Sequence, residues 1–152
     1  MADTTTERHA ISETWRRFLT LHRLATSMMD QHLREAVGHG LDDYDVLHQV
    51  ASHDGPIRMG ELAEQMLIAN SSCNRIVGRL CERGHLRRLT GVTDRRTVLV
   101  ELTRDGRRLH RRMAAVHTRD IEQLLGDGAM SAAGRARLDA DLERLAATLA
   151  AS

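Results

Sequence analysis

The chain has 152 residues, 41% hydrophobic and 28% charged, with a formal net charge of +1. That length and mix suit one globular domain with its own core, not a disordered chain. The only aromatics are Trp15, Phe18 and Tyr44 and the only proline is Pro56, so the core must come from Leu, Ala, Val, Ile and Met, which favours packed helices over a β-sandwich.

Residues 9–37 carry Ile11, Trp15, Phe18, His22, Ala25, Met29 and Leu33 at steps of three and four, one stripe of a long amphipathic helix. Gly38-His39-Gly40 ends it. Asp42 or Asp43 is suited to cap a second helix over roughly 43–53, with Val46, Leu47 and Val50 inward. His53-Asp54-Gly55-Pro56 is a turn, and Ile57-Arg58 is a minimal strand. Met59–Met66 reads as a short helix and Ser71–Arg83 as another, broken apart by Ile68-Ala69-Asn70 and closed by Gly84.

The pattern then turns β-like. His85–Leu89 and Thr97–Leu102 form a hairpin around a polar tip, residues 90–96. Thr103 caps a helix reaching about Leu125, striped by Leu109, Met113, Val116 and Leu124. Gly126-Asp127-Gly128 breaks it. Ser131 caps a last helix bearing Leu138, Leu142, Leu145 and Leu149.

The charge is not evenly spread. Residues 75–112 hold twelve arginines against four acids, a local balance of +8, while the remainder of the chain stands at −7. All 22 basic residues are arginine, whose planar fork suits phosphate and guanine. Such a block is the footprint of a polyanion-binding surface. Its division between a short helix and a hairpin narrows the polyanion to DNA, because helix, turn, helix and basic hairpin is the winged helix-turn-helix arrangement. The candidate DNA contacts are Ser71, Ser72, Asn74, Arg75 and Arg79 on the second short helix. Arg95 and Arg96 join them at the hairpin tip, oriented by Asp94.

Leu80-Cys81-Glu82-Arg83-Gly84-His85-Leu86-Arg87-Arg88 and the run Asp94-Arg95-Arg96, strand, Leu102-Thr103-Arg104-Asp105-Gly106 resemble the MarR (multiple antibiotic resistance regulator) family. Tyr44–Leu47 and Met59–Ala63 sit where that family has similar runs. The resemblance implies a mainly α winged helix-turn-helix of six helices with a small β-hairpin wing. Residues 43–102 would be the DNA-binding part of a single domain spanning 1–152, and 9–37 and 103–151 the dimerisation helices. It further implies a homodimer that binds a pseudo-palindromic, double-stranded operator and represses transcription until a ligand or oxidant releases it. A small aromatic or phenolic molecule is the expected effector, with Trp15, His22, Tyr44 and Met113 as candidate contacts; packing is the plainer role for Trp15 and Tyr44.

Other functions fit less well. No glycine-rich phosphate loop, nucleophile elbow or pair of catalytic carboxylates points to an enzyme, and no cofactor is implied. A zinc-responsive version is disfavoured, because His110 and His117 are seven apart, not the four that puts two ligands on one helical face for one metal. A redox-responsive version would have to use Cys73 or Cys81, whose spacing of eight fits neither a CxxC pair nor a zinc knuckle. A helical dimer whose arginines meet an acidic protein is the alternative outside DNA binding. With no signal peptide or apolar spanning run in view, a cytoplasmic location without membrane partners is expected.

Overall fold

The computed structural model describes residues 2–90 and 97–151, with side chains from residue 6 onward. The chain divides into two compact units, Met1–Val116 and His117–Ser152.

The first unit opens with α1, Ala2–Val37. The helix begins seven residues before the expected start. No glycine or proline precedes residue 38, so nothing stops propagation backward. Gly38, at φ 73°, ends it, its N–H on the Arg34 carbonyl at 2.9 Å. Helix α2 spans Leu41–Ser52. The expectation that Asp42 or Asp43 caps it is corrected: the cap residue is Gly40, without a side-chain bond. The orphan N–H of Leu41 is instead taken by Asp30 of α1, at 2.9 Å. Arg34 holds that carboxylate at 2.6 Å and, with the Leu41 N–H, draws its pKa below the ordinary aspartate value.

Strand β1 (Ile57–Arg58) leads into α3 (Met59–Gln65), which is followed by α4 (Asn70–Glu82). Strands β2 (Leu86–Thr90) and β3 (Val98–Leu102) complete a three-stranded antiparallel sheet in the order β1-β3-β2. The hairpin is therefore not alone. Ile57 faces Val100 and Arg58 faces Leu99, which makes β3 the central strand. Val100 and Leu102 are buried on one face as their alternation requires, while Val98, nearer the tip, is exposed.

Helix α4 closes with a Schellman turn. The Gly84 N–H bonds the Cys81 carbonyl at 2.9 Å and the His85 N–H bonds the Leu80 carbonyl at 2.8 Å, with Gly84 at φ 75°. Leu33, Val46, Leu47, Ile57, Leu62, Val77, Leu80, Val100 and Met113 are all fully buried and form the centre of the core. Each such side chain contributes about 1.5–3 kcal/mol over an exposed one.

Helix α5 spans Arg104–Leu125 and α6 spans Ala132–Ala150. Within the second unit, Ser131 caps α6 by accepting the Gly134 N–H at 3.1 Å. Arg135 donates to the Leu125 carbonyl at 2.8 Å and to Asp127 at 3.0 Å, which secures the break between the helices. No residue of α6 is buried, and Leu142, Leu145 and Leu149 are exposed. Among the described residues, no helix is long and apolar enough to cross a membrane.

Candidate nucleic-acid interface

Helices α3 and α4 are joined by a tight turn. Leu67 adopts φ 54°, a left-handed conformation rare for a leucine, and is exposed; its N–H bonds the Glu64 carbonyl at 3.1 Å. The Ile68 N–H then reaches back to the Ala63 carbonyl at 3.2 Å, and α4 starts two residues later. Cys73, Ile76, Val77 and Leu80 are buried and anchor α4 on one face. Burial raises the Cys73 thiol pKa, and burial is also the main cause of the rise at Cys81. Both thiols are thereby held in their unreactive form.

The opposite face carries the expected DNA contacts. Ser71, Asn74 and Arg75 are exposed and Ser72 is half-buried. Asn74 spends one amide N–H on the Asn70 carbonyl at 3.0 Å. Arg75 has no hydrogen-bond or ion-pair partner among the described residues, and it borders a cavity of about 450 Å³ shared with Ser72, Asp42, Asp45 and His48.

Arg79 differs from what the sequence pattern suggested. It does not project outward unencumbered. Its Nε bonds Asp43 Oδ1 at 3.2 Å and its Nη2 makes a shorter contact to the same oxygen. Asp43 is only 3% exposed, and its other oxygen accepts from His39 Nδ1 at 2.8 Å. Arg83, one turn further along, donates to the Gly38 carbonyl at 3.3 Å. The two arginines of α4 thus differ: Arg75, in its N-terminal half, is exposed, whereas Arg79 is tied to Asp43 in the first turn of α2, and Arg83, at the C-cap, is tied to Gly38 in the α1–α2 turn. The sequence pattern marked Asp43 only as a cap candidate and His39 only as part of a helix stop. The available signal was the acidic run Asp42-Asp43-Tyr44-Asp45, which matches an arginine-rich helix in charge.

The wing is partly self-neutralised. Arg87 pairs with Glu101 directly across β2 and β3. Arg88 reaches the Asn74 carbonyl at 3.4 Å and so links wing to α4. In α5, Arg107 is spent on the Leu102 carbonyl at 2.8 Å, and Arg108 pairs with Asp105 at 2.8 Å. The tip residues Asp94, Arg95 and Arg96 lie outside the described residues. A cavity of about 570 Å³ opens between the wing base, α3 and α4, bordered by Arg58, Arg88, Asn74 and Glu61.

The four candidate effector contacts lie in different surroundings. Trp15 is exposed and stacked on Phe18 at 5.7 Å, and His22 is exposed. Trp15 stands 14 residues, about 21 Å of helix axis, before Met29, the first buried residue of α1. Tyr44 and Met113 are core residues. Tyr44 stacks on His48 at 5.5 Å and on His110 at 6.0 Å, and burial, followed by the neighbouring Asp45, raises its phenol pKa. Among the described residues, no group of three or more His, Cys, Asp or Glu is placed to hold a metal.

Residues 40–97 match the family model described as MarR family. Curated protein sequences contain no match to the chain. Among solved structures, AbsC, a MarR family transcriptional regulator from Streptomyces coelicolor, is 25% identical, with 93% of this chain and 95% of that chain covered at a TM-score of 0.83. Sco3205, a MarR family transcriptional regulator from the same organism solved in complex with DNA, is 26% identical, with 91% and 90% covered at a TM-score of 0.82. A mutant of E. coli MarR complexed with operator DNA shares the fold at 22% identity, with 83% and 91% covered and a TM-score of 0.69.

Proposed function

We propose that this chain, whose residues 40–97 carry the MarR family match, binds a pseudo-palindromic DNA operator as a homodimer and represses transcription there. The observation that carries the DNA-binding part is α4. It is anchored by four buried residues and turns Ser71, Asn74 and Arg75, the last without a partner among the described residues, outward from its first turns. Those are the positions from which a recognition helix reaches base edges. The similarity to the DNA-bound Sco3205 supports the same reading. The two half-sites would lie about 34 Å apart, one helical turn of DNA.

The homodimer is supported by the apolar side chains left uncovered on α1, where Ile11, Trp15, Phe18 and Leu24 are exposed, and by those on α6. Repression and its release by a small aromatic ligand rest on the family resemblance alone. Selection of bound fragments from the source genome, followed by mobility-shift titration over a range of salt, tests the proposal. A palindromic consensus bound with a steep salt dependence is expected. Absence of salt-dependent DNA binding would point to the acidic-protein partner instead.

A further inference from the structure

Asp43 poses an electrostatic problem for a DNA-binding surface. It is a carboxylate in the first turn of α2, directly behind the recognition helix, and it ties up an arginine that could otherwise meet phosphate. Both of its oxygens are engaged. Oδ1 takes the guanidinium of Arg79 and Oδ2 takes His39. A carboxylate can only accept hydrogen bonds, so His39 Nδ1 must carry its proton. Arg83, 3.3 Å from that same nitrogen, therefore finds its acceptor in the Gly38 carbonyl rather than in the imidazole. The result is a cluster in which α2, the α1–α2 turn and the C-terminal half of α4 share one buried charge.

We propose that Asp43 is a positioning residue for DNA recognition. By gripping Arg79 it sets where α4 sits against α2, and it leaves Arg75 as the arginine of α4 that is open to the bases. This deepens the DNA-binding function proposed above and rests on it. Two features favour positioning over a direct phosphate role for Arg79. Asp43 is buried, so the ion pair is not a loose surface contact that a phosphate displaces cheaply. The grip is also made by the fork of the guanidinium, whose Nε and Nη2 both reach Oδ1, and a lysine cannot reproduce that geometry.

The two roles predict opposite signs. Removing a negative charge near DNA, as in Asp43→Asn, tightens binding if only charge matters. If Asp43 positions α4, the same isosteric change weakens binding to a duplex selected by the wild-type protein by about tenfold or more, while a random-sequence duplex is bound within about twofold of wild type. Arg79→Lys keeps the charge and loses the fork. Positioning predicts a similar loss on the selected duplex with an unchanged salt slope, whereas a phosphate contact predicts near wild-type affinity for Arg79→Lys and a slope lower by about one for Arg79→Gln. The double variant Asp43→Asn with Arg79→Gln is expected to lose no more than the worse single variant. Equal or tighter binding by Asp43→Asn overturns the proposal, and if that variant does not fold, retention of affinity by Arg79→Lys does so.

If the wild-type chain selects no duplex, DNA binding itself is refuted, and hydrogen exchange on the free protein still decides about Asp43. Faster exchange of the amides of residues 76–83 in both single variants supports positioning. Unchanged exchange in both ends it.

Discussion

The imidazoles of His48 on α2 and His110 on α5 meet with Nδ1 and Nε2 3.2 Å apart, and Tyr44 stacks against both rings. A hydrogen bond at that distance needs one nitrogen to donate and the other to accept, so it exists only while at least one ring is neutral. Burial, His48 and Arg111 together lower the pKa of His110. At His85 burial acts first, and then His39 and Arg83.

Acid sensitivity follows. A histidine whose folded pKa lies below its unfolded value binds fewer protons when folded, so its contribution to stability is present above about pH 6.5 and is lost as the pH falls through the folded value. Thermal unfolding is expected to show a lower Tm at about pH 5.5 than at about pH 7.5. In His110→Gln that difference is expected to shrink. An identical pH dependence in the variant would remove His110 from the explanation.

Gly106 closes the Leu102-Thr103-Arg104-Asp105-Gly106 motif for a steric reason. A Cβ there would run into the His85 carbonyl. That carbonyl already accepts the Thr103 N–H at 3.1 Å, while the Thr103 hydroxyl donates to the Gly84 carbonyl at 2.7 Å and accepts the Gly106 N–H at 3.0 Å. On an open helix, glycine to alanine gains up to about 1 kcal/mol. Here the clash reverses the sign, and Gly106→Ala is expected to cost about 1–3 kcal/mol. Urea denaturation measures this directly, and a stabilised variant would refute the packing.

The arginines of α4 and of the wing tip are expected to behave differently. Arg75→Ala should relax sequence preference, costing about 1–3 kcal/mol on the selected duplex and little on random DNA. Arg95→Ala and Arg96→Ala should weaken binding to every sequence alike and lower the salt slope by about one each. Salt-dependent titrations on both duplexes separate the two patterns. If none of the three substitutions alters binding, the assignment of helix and wing fails.

Leu145 and Leu149 on α6 are 62% and 79% exposed, more than a solitary chain gains from displaying them. A dimer is expected in sedimentation at micromolar concentration. Leu145→Asp is expected to shift the population toward monomer and, with it, to abolish cooperative operator binding. A wild-type chain that sediments as a monomer at every concentration would rule out the homodimer.

Much of the fold was legible in the chain because the features involved are local. Stripes at helical spacing, Gly38 and Gly84 as stops, Ser131 and Thr103 as caps, and alternation in β3 each depend on residues within a turn or two of one another. The arginine block and its division between helix and hairpin were equally visible. What spacing could not show was which partners meet across the chain. Asp30 caps α2 from eleven residues upstream, in place of Asp42 or Asp43. Arg79 meets Asp43 across 36 residues and so becomes a tied residue rather than an open one. Trp15 and His22 stay on the exposed part of α1 while Tyr44 and Met113 enter the core, although an expected effector role had grouped all four. The sequence determined the elements and the sign of the charge on them, because propensity and periodicity act over a few residues. Only the tertiary structure decided which charges are spent on neighbours and which remain open, because long-range pairing depends on where packed helices bring side chains together.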